Sequence, residues 1–402
     1  MPVLVAALGL SGCGAETSCF EEGPFSNLGE NGSALVFLPD PMTASADSDL
    51  SPTSPLDFLR QEVKLERLAG TGVLRGRYVD VRDGTGCGEA YGAADERQRF
   101  HYRHGDRRFA EAESYYAGDS FRASLDSLGH LLPEGTLRIV AHCLSADNAY
   151  YSRVRDWMGR STGRVCLGDS TRVPGASYAD DAGVVAHEIQ HGATIEAYSP
   201  TQDIQGLVYD EGGALNEAVS DFMSLAFYEP LTPAALDPRV FGRWALGGFH
   251  PDLRSLRGAH ECPMYDPTYP RCDGSAVRFG YPDGLGWPYA SPQRPGGLSI
   301  GSAAVFAGFR AQEQVHTASI LMTGALWDVF EKLRALPGSD SRRAYELSAR
   351  VIFEALRRLP KPTFSERSPV TYLGFSAGLV RAATALGYAG PEREAIESAL
   401  VG

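Results

Sequence analysis

Apolar residues recur along this chain at two spacings, and the balance between them shifts near the middle. Val73 to Val81 alternates closely enough to predict a strand, ending at the turn Asp83-Gly84-Thr85-Gly86. Leu137 to Cys143 is a second apolar run of strand length. Phe109 to Leu128 sets Phe109, Ala112, Tyr115 and Tyr116 on one side and predicts a helix. Val184 to Glu196 and Ala214 to Phe227 also carry helical spacing. From Leu231 to Phe309 glycine and proline are frequent and no helical period persists, so a long loop-rich region is expected. Helical spacing returns at Ala318 to Leu336, Arg342 to Leu359 and Pro369 to Leu386. A last helix is expected near Pro391, since proline suits the first helical position. Glu16 to Pro55 is rich in Ser, Gly, Asp and Pro and reads as a tether or loosely packed extension. No internal repeat is found.

The expected fold class is therefore α+β, with a β-rich N-terminal lobe, a mainly helical C-terminal lobe and a cleft between them. The expected boundaries are a signal-type segment at 1–13, a tether or pro-like extension at 14–70, the β-rich lobe at 71–196 and the helical lobe at 197–402.

The richest chemistry falls on the two central helices. His187-Glu188-Ile189-Gln190-His191 is an H-E-x-x-H motif. On a helix its histidines lie one turn apart on one face, able to reach one metal ion, with Glu188 beside them as a base. A bare motif of this kind also fits an ordinary amphipathic helix with two surface histidines. The apolar run Val184-Val185-Ala186 argues for a core helix instead, where buried histidines and a glutamate need partners. Downstream, Glu217 offers a third ligand, and Asp221 sits one turn after it, placed to accept the free ring N–H of a ligand histidine. Asn216 adjoins Glu217 in the same segment, Gly213 to Asp221.

These segments resemble the thermolysin-type metallopeptidases, with the fungalysin group close by. The matches are Val184 to His191, Gly206-Leu207-Val208-Tyr209, and Gly213 to Asp221. Asn148-Ala149-Tyr150-Tyr151 resembles the strand that pairs with substrate backbone, Val315-His316-Thr317-Ala318-Ser319 the segment of the second catalytic histidine, and Asp252-Leu253-Arg254-Ser255 that of a substrate-binding arginine. The resemblance implies a two-lobed thermolysin-like fold and a zinc endopeptidase with protein or peptide substrates. His187, His191 and Glu217 would hold zinc, and Glu188 would be the general base. His316 and Tyr209 would assist catalysis, while Asn148, Ala149 and Arg254 would bind substrate. The chain departs from the family by an insertion around Ala197 to Gln205, and by Tyr228 where a calcium-binding glutamate is expected. Calcium is possible but not supported: Asp180 and Asp181 fit a solvated acidic loop better.

A net charge of −13 without a basic stripe argues against nucleic acid. No apolar run is long enough to span a membrane. Leu10-Ser11-Gly12-Cys13 ends a short apolar run and resembles a bacterial lipobox, although no Lys or Arg precedes that run. Lipid on Cys13 would be the membrane anchor of an exported monomer, held at the cell envelope; a secreted form is the alternative. Seven cysteines less Cys13 leave six, enough for three disulfides in an oxidising compartment. Fifteen pairings are open. Cys262–Cys272 would close a short loop, Cys143–Cys166 would staple both sides of the Asn148 segment, and Cys19–Cys87 would remain; free thiols are the alternative. Two rival functions stand beside the peptidase: a catalytically silent surface-binding protein, and a zinc hydrolase of a non-peptide amide.

Overall fold

The computed structural model describes residues 25–84, 94–130, 135–143, 148–155, 161–170, 175–199, 205–208, 210–247, 311–361 and 370–401. Strand β1 (Gly32–Val36) pairs antiparallel with β2 (Gln61–Leu65). On its other side it runs parallel to the two-residue β4 (Arg99–Phe100). Between β1 and β2 lies a five-residue helix, α1 (Pro41–Ser45), opened by Asp40 as N-cap and Pro41 at the first position. The second sheet has the order β3-β5-β7-β6. Its strands β3 (Val79–Asp83), β5 (Leu137–Ala141) and β7 (Ser161–Leu167) are parallel. Strand β6 (Ala149–Arg155) runs antiparallel to β7 at the edge, in register from Ala149 opposite Leu167 to Arg155 opposite Ser161.

Helix α2 (Arg107–Ser127) joins β3 to β5 and lies on both sheets. Phe109, Ala112, Tyr115, Phe121 and Leu125 are buried along it, as a core-facing stripe requires. Gly118 brings α2 close to the sheet: a Cβ there would lie 2.6 Å from Ile139 Cδ1. Helix α3 (Ala182–Tyr198) packs against α2, β6 and β7 on one side. On another it meets α4 (Asp210–Tyr228), which follows a short turn at Gln205–Leu207. After α4 come α5 (Arg243–Gly247), α6 (Ala311–Arg334), α7 (Ser341–Arg357), α8 (Tyr372–Ala385) and α9 (Gly390–Val401). Phe222, Trp327, Phe330 and Phe353 are fully buried where α4, α6 and α7 meet. Aromatic side chains of that size each contribute on the order of 1.5–3 kcal/mol by burial. Strands thus fill the N-terminal part and helices the C-terminal part, the expected α+β class.

Two expectations need correction. The segment expected to be a tether carries β1, with Ala34, Val36 and Phe37 fully buried. The ring of Phe37 stands 4.9 Å from that of Phe109, edge to face, and its backbone N–H donates to Glu113. Pairing on both sides stabilises a strand that its polar flanks conceal. The strand expected at Val73 to Val81 begins only at Val79; Val73 and Leu74 are buried in a turn closed by the bridges Leu68–Gly76 and Arg75–Asp80. Most of the expected loop region lies outside the described residues. Its described start carries α5.

Gly192, one residue after His191, shows how tightly β6 sits on α3. A Cβ there would lie 2.8 Å from both Cε2 and Cζ of the Tyr151 ring. Alanine for glycine inside a helix ordinarily stabilises by about 1 kcal/mol. Here the added methyl meets an aromatic ring, and overpacking of this kind costs roughly 1–3 kcal/mol. Gly192→Ala should therefore lower stability in chemical denaturation, and Gly192→Ala combined with Tyr151→Val should recover part of the loss. A single variant more stable than the parent would contradict this packing.

Candidate metal centre

Helices α3 and α4 meet so that their chemistry-bearing side chains converge. His187 and His191 lie one turn apart, with ring centroids 4.6 Å apart and planes nearly perpendicular. With Glu188 they bring ligand atoms within 4.8 Å of one another, a group able to hold a metal ion. From α4, Glu217 Oε2 stands 3.4 Å from His187 Nε2 and Glu217 Oε1 3.6 Å from His191 Nε2. Two donors each about 2.0–2.1 Å from a tetrahedral ion stand roughly 3.3–3.4 Å apart. The carboxylate therefore sits at close to a tetrahedral edge from both rings. Two imidazole nitrogens and one carboxylate oxygen suit a borderline ion such as zinc, with a fourth position left for water or substrate.

The ring nitrogens facing away from Glu217 also meet α4. His187 Nδ1 is 2.8 Å from Asp221 Oδ1, and both groups are buried. Asp221 is itself touched by α6, where Ser319 Oγ lies 3.5 Å from Oδ2. His191 Nδ1 is 3.1 Å from Ser220 Oγ. Glu217, Ser220 and Asp221 share one face of α4, being three and four residues apart. Phe241, buried in the loop before α5, tilts against His187 with centroids 4.8 Å apart. Asn216 Oδ1 is buried and has no hydrogen-bond partner among the described residues.

Asn148 is exposed just before β6, and Ala149 opens that strand. Just past β7, the Gly168 N–H donates to the Asn148 carbonyl. Strand β6 is held to α3 by Tyr151 on Gly192 and by an Arg153–Glu196 ion pair at 2.7 Å. His316 lies inside α6, which starts earlier than the spacing suggests, at Ala311; Ser319, three residues on, reaches Asp221. Tyr209 and Arg254 lie outside the described residues. So do Cys13, Cys19, Cys87, Cys262 and Cys272. The expected Cys143–Cys166 disulfide is present, with Cα atoms 5.6 Å apart, and joins β7 to a cysteine two residues past β5. Ser220 and Phe241 were not singled out from sequence. Ser220 has a legible signal, three residues after Glu217 and beside Asp221; a loop phenylalanine has none.

No model of a known protein family matches the chain. No curated protein matches it either. Among solved structures it is similar to the precursor of protealysin, a metalloproteinase from Serratia proteamaculans. The identity is 16%, over 80% of this chain and 85% of that one, with a TM-score of 0.43. At that level of likeness any functional reading stands on the site's own residues.

The N-terminus of α3 corrects one further expectation. Asp180 and Asp181 are not solvated; each is 3% exposed. Asp181 caps α3 by accepting from the Val184 N–H and also accepts from the Ala245 N–H. Asp180 Oδ2 lies 3.3 Å from His104 Nε2. Asp40 and Glu113 are buried nearby. Burial, then the Asp40 charge, raises the Asp181 pKa from 3.8 to about 7. Burial likewise raises Asp40 and Glu113, against the hydrogen bonds they accept. A carboxyl whose folded pKa exceeds its unfolded value adds stability that is full below the unfolded pKa and lost as pH rises through the folded one. For Asp181 that window runs from about 4 to about 7. With metal chelated, the melting temperature should fall across this window. Asp181→Asn, which still caps a helix well, should flatten the slope. An unchanged slope in the variant would remove Asp181 from this role.

Proposed function

We propose that this chain is a zinc-dependent endopeptidase of the thermolysin type, hydrolysing peptide bonds in proteins. The observation that carries this reading is the Glu217 carboxylate, 3.4 and 3.6 Å from the two histidine Nε2 atoms. His187, His191 and Glu217 are the residues that would hold the ion. A bound zinc supplies Lewis acidity, bringing the pKa of water toward about 7 and polarising a carbonyl. Glu188 stays out of the ligand set and acts as the base. It takes a proton from the attacking water and passes it to the leaving amine. Its carboxylate lies within 4.8 Å of the histidine ligand atoms, in reach of water at the same site.

Strand β6 supports a peptide substrate over a small amide. Among the described residues it pairs only with β7, so its outer edge offers backbone groups to an extended chain. Asn148 and Ala149 stand at the start of that edge. His316 and Tyr209 are assigned as donors to the developing oxyanion on the strength of the sequence resemblance, and Arg254 as a substrate contact on the same ground. The Cys143–Cys166 disulfide suits an exported chain. Among the described residues no helix is long and apolar enough to cross a membrane. Lipid on Cys13 is the anchor this reading assigns, and loss of membrane association in Cys13→Ser cells would test it.

Glu188→Gln tests the reaction. The amide is nearly isosteric and is not a ligand, so the variant should keep its fold and its zinc, both measurable directly. Cleavage of a denatured protein should fall by at least the 10²–10⁴-fold typical of a lost general base. A variant with full zinc and most of the parent rate would contradict the mechanism.

A further inference from the structure

The two imidazoles of this centre are held from behind by different chemistry. His187 Nδ1 faces a carboxylate, Asp221, at 2.8 Å. His191 Nδ1 faces a hydroxyl, Ser220 Oγ, at 3.1 Å. Ser220 and Asp221 are both buried. Asn216, the neighbour of Glu217 singled out from sequence alongside Asp221, leaves its Oδ1 without a hydrogen bond among the described residues.

We propose that Ser220 is the positioning residue of His191, holding the ring so that Nε2 faces Glu217 and Nδ1 has a partner when a metal is bound. This rests on the zinc reading above. A neutral imidazole carries one N–H. If Ser220 donated to Nδ1, the proton would sit on Nε2, and the nitrogen facing Glu217 would be lost as a ligand. A hydroxyl can play either part, so the metal decides: once Nε2 binds an ion the ring proton is on Nδ1, and Ser220 Oγ is placed to accept it. The Ser220 contact at Nδ1 also limits rotation of the ring. The choice of a hydroxyl here and a carboxylate at His187 follows from charge. Glu188, Glu217 and Asp221 already place three carboxylates around one site. A fourth behind His191 would be buried and would raise the cost of that negative charge without a further cation. A hydroxyl fixes the ring while adding none.

The consequence is an asymmetry in metal affinity that a purely structural serine would not produce. Loss of a residue supporting a ligand histidine typically weakens metal binding by about 10–100-fold. Asp221→Ala should fall near the upper end, since it removes a charge as well as an acceptor. Ser220→Ala should fall near tenfold. Zinc affinity is to be measured by competition with a chromogenic chelator on the full chain, and melting with and without zinc on the same samples. The expected result is weaker zinc binding by Ser220→Ala, with an unchanged melting temperature in chelator and a smaller rise on adding zinc. In zinc-loaded parent protein, His191 should show a protected Nδ1–H signal by NMR that is lost in the variant. If the parent binds zinc and Ser220→Ala binds it equally well, the Ser220 assignment is overturned while the zinc reading stands. A variant destabilised equally with and without zinc would return Ser220 to a packing role. A parent that binds no zinc would defeat the zinc reading, and this inference with it.

Discussion

The crossing of α3 and α4 is the constraint on which the rest of this structure depends. Two imidazoles one turn apart on one helix, and a carboxylate from the other, must stand within a few tenths of an ångström of tetrahedral spacing. In the apolar interior, such groups are costly unless each has a partner. The geometry provides these from a single face of α4: Glu217 toward both Nε2 atoms, Ser220 and Asp221 toward the two Nδ1 atoms.

Each flank contributes a distinct restraint. The N-terminus of α3 is capped by Asp181, which also accepts from α5, so the helix start is tied to the loop carrying Phe241. The aromatic cluster of α4, α6 and α7 fixes the far side of α4 and brings Ser319 against Asp221. On the sheet side, the missing side chain of Gly192 admits Tyr151, and the Arg153–Glu196 pair holds the next turn. The edge strand and the histidines are thus parts of one packed unit. A change in either contact should be felt at both.

Much of this was legible before any coordinates, and the reasons for the exceptions are physical. Long helices with a persistent period, such as α2, α4 and α7, were visible because burial on one face imposes that period over many residues. His187, Glu188, His191, Glu217 and Asp221 were visible because helical spacing alone places them on shared faces. The strand β1 was not, since five residues between polar flanks carry too little periodicity, and its stability comes from pairing at a distance in sequence. The burial of Asp180 and Asp181 was hidden for a similar reason. Acidic residues together read as a surface loop, and only the fold shows that a helix N-terminus and a second backbone segment receive Asp181 and that His104 receives Asp180. Ser220 lay within reach of the spacing argument, but a serine beside an aspartate draws less notice than the asparagine beside Glu217. Contacts from loops, such as Phe241 on His187, leave no pattern in the sequence.

The central claim is that one zinc ion is held by two helices through three named residues. Crystals of the zinc-loaded chain, with anomalous data collected on both sides of the zinc absorption edge, test it most directly. The account predicts one strong anomalous peak bonded to His187 Nε2, His191 Nε2 and Glu217. A peak with Glu188 in place of Glu217, or no peak between α3 and α4, would contradict it.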